Sequence, residues 1–281
     1  MKKLAIALLF ILLSLIANGF VRGKDVGPFK TPTLQSVVEQ SLNMVSERYG
    51  IYIKNLNSGE SLNIREKESF EAGSLYKLWV MGAVFEKIKN GDLKEDDKLE
   101  VDIEDINKRF EISQEDAEMK EGHLQFTISS AIRQMITISH NYAALMLLTK
   151  ISSTEVGNFL KKYSLNSSSM ELPIRTTASD LGSYLEKLYL GEIINKEYSE
   201  KMINLMIEQN INNRLPKYLP KDTPVAHKTG DIGYFEHDAG IIYTPKGDYI
   251  IVVLTESDFP SDADEKIAEL SKAVYEYFNK E

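Results

Sequence analysis

Three features of the chain predict an α+β fold, with a five-stranded antiparallel sheet flanked by N- and C-terminal helices and joined to an all-helical lobe. Strand-like runs occur only towards the two ends, the long middle repeats apolar residues at helical spacing, and an amphipathic helix stands outside each group of strands. Folds of this kind commonly place their sites between the two parts.

Met1-Lys2-Lys3 precede an apolar run from Leu4 to Ile16 and the small residues Ala17 and Gly19. That is the anatomy of an export signal, so residues 1–23 are expected to be a signal peptide or, if uncleaved, an N-terminal membrane anchor. The mature protein is then exported to the periplasm, the cell surface or the medium. Residues 24–281 carry no Pro/Gly/Ser-rich linker and are expected to form one domain, with its sheet part at 30–73 and 215–281 and its helical lobe at 74–214.

From Thr33 to Tyr49, Leu34, Val37, Val38, Leu42 and Val45 recur at helical spacing, with Gly50 as a stop signal. Ile51-Tyr52-Ile53 and Leu62-Asn63-Ile64 flank Asn57-Ser58-Gly59 and predict a hairpin. Residues 74–90 are apolar nearly all round in their first turns, which predicts a helix inside the protein, ended by Gly91. Helical patterns follow at 128–136, 142–151, 155–163, 179–190 and 197–207. Strand character returns at 223–227, 239–244 and 249–255, the last two joined by the turn Pro245-Lys246-Gly247-Asp248. Ile267, Leu270, Val274 and Phe278 then mark a final helix over 263–278, expected to cover one sheet face beside the first helix.

The net charge is −9, and cleavage beyond Arg22 would make the mature protein more acidic still, which argues against nucleic acid as a partner. There are no cysteines, so disulfides and thiolate metal sites are excluded. The four histidines (His123, His140, His227, His237) lack metal-ligand spacing, and no metal or organic cofactor is expected. Nothing suggests an obligate partner, and a monomer is expected.

Three short motifs carry the chemistry. Ser74 follows Glu71-Ala72-Gly73 at the start of the buried helix, where main-chain N–H groups favour developing negative charge, and Lys77 lies one turn on, among Leu78, Val80 and Met81. An ammonium in apolar surroundings is disfavoured, so Lys77 could take the serine proton. Alone, the pair reads better as a helix cap and a lysine reaching outward. Ser139-His140-Asn141 is a polar interruption between two apolar helices, suited to a proton shuttle and a substrate hydrogen-bond donor, though an ordinary interhelix loop has the same composition. Lys228-Thr229-Gly230 ends a strand, where Lys228 and Thr229 could meet a carboxylate and Gly230 could admit a substrate backbone. A solvated strand end is the plain alternative; the order of all three together is what carries weight.

In that order, and in the flanking stretches Leu215-Pro216 through Val225-Ala226-His227 and His237-Asp238-Ala239-Gly240-Ile241-Ile242, the chain resembles the class A β-lactamases and their penicillin-binding relatives over nearly all of its mature length. The resemblance implies a β-lactamase/transpeptidase-like fold and a secreted serine hydrolase that Ser74 carries through an acyl-enzyme. Lys77 takes the Ser74 proton, Ser139 relays one to the leaving nitrogen, and Asn141, Lys228, Thr229 and Gly230 bind the substrate. The main-chain N–H groups of Ser74 and Asp231 form the oxyanion hole. The implied substrate is a small-molecule β-lactam or a peptidoglycan peptide.

Two departures stand out. His140 replaces the family's usual Asp in the middle motif. The loop that in class A β-lactamases carries E-x-x-x-N and activates the deacylating water is short here (165–176), with Glu171 as its one acid and Arg175 where the Asn is expected. Glu171 is therefore either the deacylating base or an exposed loop carboxylate paired with Arg175. The alternatives to β-lactam hydrolysis are a D,D-peptidase or penicillin-binding protein with slow deacylation, and a penicillin-binding sensor domain without turnover.

Overall fold

The computed structural model describes residues 32–42 and 48–280, so the expected leader lies outside the described residues. A helix α1 (Leu34–Leu42) is followed by strands β1 (Arg48–Asn55), β2 (Ser61–Ile64) and β3 (Phe70–Glu71) and a 3-10 turn (Gly73–Tyr76). That turn runs into helix α2 (Lys77–Asn90). Then come β4 (Lys98–Asp102), α3 (Ile103–Arg109), β5 (His123–Thr127), α4 (Ile128–Thr137), α5 (Asn141–Ile151) and α6 (Ser153–Lys162). The chain closes with β6 (Arg175–Thr176), α7 (Ala178–Tyr189), α8 (Lys196–Ile207), β7 (Val225–Ile232), β8 (Phe235–Ile242), β9 (Tyr249–Glu256) and α9 (Pro260–Phe278).

The main sheet has five strands in the order β2-β1-β9-β8-β7, all neighbours antiparallel. Its two faces pack against different parts of the molecule, which the period-2 side-chain alternation of a strand makes possible. Along β9, Ile251 and Val253 join Ile51 and Ile53 in a core with Leu34 and Val38 of α1 and Ile267, Leu270 and Val274 of α9. Ile250, Val252 and Leu254 face the other way, into the core shared with the helical lobe. With both faces covered, the strand needs apolar residues at every position, hence the unbroken run Ile250-Ile251-Val252-Val253-Leu254. α2 passes through the lobe with Leu78 to Phe85 all buried, and Gly91 ends it in the left-handed region (φ 83°).

Three expectations need correction. The first helix does not reach Tyr49: residues 43–47 are outside the described set, and Arg48 and Tyr49 belong to β1, which pairs with β9 along its whole length from Arg48↔Glu256 to Asn55↔Tyr249. Gly50 is thus a strand residue, packed where a Cβ would lie 2.7 Å from the Phe70 ring, and not a helix stop. The lobe is not all helical, because β4 and β5 form a hairpin-like ribbon within it and β6 pairs with β3. The β4/β5 signal was present as the alternation Leu99/Val101 and Leu124/Phe126, whose side chains oppose one another in register. Among the described residues no helix is long and apolar enough to cross a membrane.

Candidate active site

The 3-10 turn and the end of β7 are in direct contact, and two glycines permit it. Gly73 has φ 48°, and a Cβ there would stand 2.7 Å from the Asp231 main-chain N; a Cβ on Gly230 would stand 2.8 Å from the Ala72 carbonyl oxygen and 2.9 Å from Leu75 Cγ. Gly230 is therefore small because the Ser74 turn lies on it, a different reason from the admission of a substrate strand. This crossing brings the Ser74 turn against the main chain of Asp231.

Ser74 sits in the 3-10 turn and Lys77 is the first residue of α2, so the two side chains share one side of the helix start. Lys77 Nζ donates to Ser74 Oγ (2.9 Å), to the Ser139 carbonyl oxygen (2.6 Å), to Ser139 Oγ (3.1 Å) and to Asn141 Oδ1 (2.5 Å). An ammonium has three protons for these four acceptors, so at least one contact is shared. Lys77 is fully buried, and burial lowers its pKa to about 8 against the opposing pull of Glu118 and Asp231.

Ser139 lies between α4 and α5 with φ 58°, a left-handed conformation rare for serine. The bend turns its Oγ between two amines: Lys228 Nζ donates to it at 3.0 Å from the opposite side. Lys228, also fully buried, donates in addition to the Thr229 carbonyl oxygen (2.9 Å); burial, and then repulsion by Lys77, lower its pKa to about 7. Thr229 Oγ1 is buried without a protein hydrogen-bond partner. His140 caps α5 by accepting from Ala143 N–H at 3.2 Å through Nδ1, and burial lowers its pKa. The place held by Asp in the resembled family is thus filled by a side chain that performs a local structural task.

The structure brings Ser74, Lys77, Ser139, Asn141 and Lys228 into one hydrogen-bonded chain and sets Thr229, Gly230 and Asp231 beside it. It does not bring Glu171 there. A cleft of about 600 Å³ beside Ser74 is lined on the loop side by Leu172, Pro173 and Ile174. Glu171 lines a different cavity, with Asn158, Lys161 and Met170, and its N–H donates to Ser169 Oγ. Arg175 does not pair with Glu171 either: its guanidinium lies 3.9 Å from Glu71, its partner in the β3/β6 ribbon.

Two contributors carry no signature in the sequence. Glu118, exposed on the segment between α3 and β5, accepts a hydrogen bond from Asn141 Nδ2. Arg214, buried just before β7, forms ion pairs with Asp231, Glu236 and Asp264 and donates to the His237 carbonyl oxygen at 2.7 Å. Burial and then Asp231 push the Glu236 pKa up to about 8, while Arg214 and Glu236 together hold Asp231 below the usual carboxylate range despite burial. Arg214 thereby ties down the strand end that supplies the Asp231 N–H. Its partners lie 17 to 50 residues away, and no spacing rule connects them.

Comparison with known proteins adds an independent line. A family model described as "Beta-lactamase enzyme family" matches residues 33–278. The chain is 26% identical over 276 residues to "Beta-lactamase VEB-1" of Pseudomonas aeruginosa, covering 89% of this chain and 91% of that protein. Among solved structures, that of PBP-A superposes with a TM-score of 0.78 at 26% identity, covering 88% of this chain and 96% of the other. The TLA-1 extended-spectrum β-lactamase does so with a TM-score of 0.74 at 25% identity, covering 88% and 98%.

Proposed function

The chain belongs to the β-lactamase enzyme family, and from that premise we propose that it is an exported serine hydrolase whose Ser74 opens the β-lactam amide through an acyl-enzyme. The observation that carries this reading is the continuous chain from Ser74 Oγ through Lys77 Nζ to Ser139 Oγ and Lys228 Nζ, in which both amines are buried and their pKa values lowered.

In this reading Ser74 Oγ attacks the amide carbonyl carbon while Lys77, in its neutral form, takes the hydroxyl proton. The carbonyl oxygen becomes an oxyanion held by the Ser74 and Asp231 main-chain N–H groups at the crossing that Gly73 and Gly230 allow. Collapse of that intermediate breaks the C–N bond. Ser139 passes its proton to the departing nitrogen and is resupplied by the ammonium of Lys77. Lys228 and the unpartnered Thr229 hydroxyl hold the substrate carboxylate, whose charge returns Lys228 to its protonated form.

Release of the acyl group needs water, and no acid of the 165–176 loop faces Ser74: the cleft there is walled by Leu172, Pro173 and Ile174. That wall, with the likeness to PBP-A, favours as a second reading a penicillin-binding D,D-peptidase type of protein that deacylates slowly. A chromogenic cephalosporin separates the two: steady turnover supports the hydrolase, and a burst of one equivalent followed by a persistent mass adduct on Ser74 supports slow release. Ser74→Ala is expected to form no adduct and to lose turnover at least a thousandfold. An adduct that persists in Ser74→Ala would overturn both readings.

A further inference from the structure

Glu118 lies against the cleft residue Asn141, on a strongly acidic segment, Glu111-Ile112-Ser113-Gln114-Glu115-Asp116-Ala117-Glu118-Met119-Lys120-Glu121, in which five carboxylates accompany one lysine. It is exposed, yet its neighbours are fixed. Ala117 is buried, and the Met119 main chain is held on both sides: Asn107 Nδ2 donates to its carbonyl oxygen at 2.8 Å, and its N–H donates to the Tyr142 hydroxyl at 3.2 Å. Tyr142, buried in α5, in turn bonds Asn107 Oδ1 at 2.8 Å. A buried Tyr-Asn pair therefore anchors the segment beside the carboxylate, and the carboxylate is placed on Asn141 Nδ2 while Asn141 Oδ1 takes the Lys77 ammonium.

Asn141 lines the cleft next to Ser74, and in the reading proposed above its side-chain amide is a donor to the substrate. One of its two N–H groups is engaged by the Glu118 carboxylate, which leaves the other for a substrate. An acyl donor that bonds the remaining Asn141 N–H comes close to the Glu118 charge, and an anionic side chain meets repulsion there. A donor with an ammonium group near that amide gains a counter-charge and removes the competitor from Asn141 at the same time.

We propose that Glu118 is a specificity-determining residue that selects acyl donors bearing a cationic group, a primary ammonium, on the acyl side of the scissile amide. The inference rests on the acylation of Ser74 proposed above. The unit charge at this partly solvated site is expected to discriminate by about tenfold or more between cationic and anionic donors.

The test uses three penicillins that share a phenylacetyl side chain and differ in one α substituent, which is hydrogen, ammonium or carboxylate. The second-order rate of Ser74 adduct formation is read by intact mass in the wild type, Glu118→Gln, Glu118→Lys and, as a control on the same segment, Glu115→Gln. The expected wild-type order is ammonium, then hydrogen, then carboxylate. The ammonium-to-carboxylate ratio should fall to about threefold or less in Glu118→Gln, invert in Glu118→Lys, shrink in high salt, and stay unchanged in Glu115→Gln. An unchanged ratio in Glu118→Gln and Glu118→Lys, with urea midpoints like that of the wild type, overturns the inference and leaves the acylation reading standing. Absence of an adduct with all three compounds in the wild type overturns both.

Discussion

At the residue scale the site turns on two buried lysines that share one hydroxyl. An amine at full burial is held towards its neutral form, and here the effect brings Lys77 to about 8 and Lys228 to about 7. The sign of the consequence is fixed: the free base of Lys77 is the form that can accept the Ser74 proton, and its fraction grows as pH rises. The second-order acylation rate is therefore expected to climb nearly tenfold per pH unit well below 8 and to level off above it, when followed by adduct formation between pH 5.5 and 9.5. A rate that is flat across that range would remove Lys77 as the base. His140 and His237 are engaged in structural hydrogen bonds. His140 caps α5, and His237 donates through Nε2 to the Glu71 carbonyl oxygen (2.7 Å) and accepts the Thr255 N–H at Nδ1 (3.1 Å), with burial lowering its pKa to about 4.

At the scale of elements, the segment between α6 and α7 bears on the release step of the proposed acyl-enzyme, because it forms the loop side of the cleft beside Ser74. It is tied to the lobe by polar bonds: Ser168 Oγ and the Ser167 N–H both donate to Asp180, and Ser169 and Arg175 exchange main-chain hydrogen bonds. That pairing sends Glu171 to one side and Leu172-Pro173-Ile174 to the side of Ser74. Glu171→Gln is accordingly expected to change the release rate of a Ser74 adduct by less than about twofold, measured by the return of the unmodified mass after excess β-lactam is removed. A tenfold slowing would show that the loop rearranges to bring Glu171 in. The same scale explains Ser139: α4 and α5 run nearly without interruption, and the left-handed serine between them turns a short connection into a hydroxyl aimed between two amines.

At the scale of the molecule, the sheet and its covering helix are joined near the site by Arg214, whose guanidinium reaches the end of β7, the start of β8 and α9 at once. Removing one member of a buried ionic group leaves its partners desolvated and facing one another. Arg214→Ala is expected to cost about 3 kcal/mol, towards the low end for such groups because the Asp231 side chain is partly in solvent. The pH dependence carries the sign. Without the guanidinium the three carboxylates repel, their pKa values rise above those of the unfolded chain, and the native state gains from protonation as pH falls. The gap in urea midpoint between Arg214→Ala and the wild type should therefore narrow from pH 8 to pH 5. A gap that stays constant would mean that Arg214 acts by packing alone.

Much of this was already written in the sequence. Periodicity gave the helices of the lobe and the strands of the main sheet, because a helix or strand with one buried face must repeat apolar residues at its own period. Three motifs in order singled out Ser74, Lys77, Ser139, Asn141 and Lys228, which the fold then joins by hydrogen bonds. Tertiary structure alone decided the rest. It alone determined that Glu171 lines another cavity, that Gly230 yields to the Ser74 turn, that Asn141 is held by Glu118, and that Arg214 gathers carboxylates from three elements. Each of these depends on which distant side chains meet once the faces of the sheet are covered, and a contact between residues far apart leaves no period in the chain that makes it.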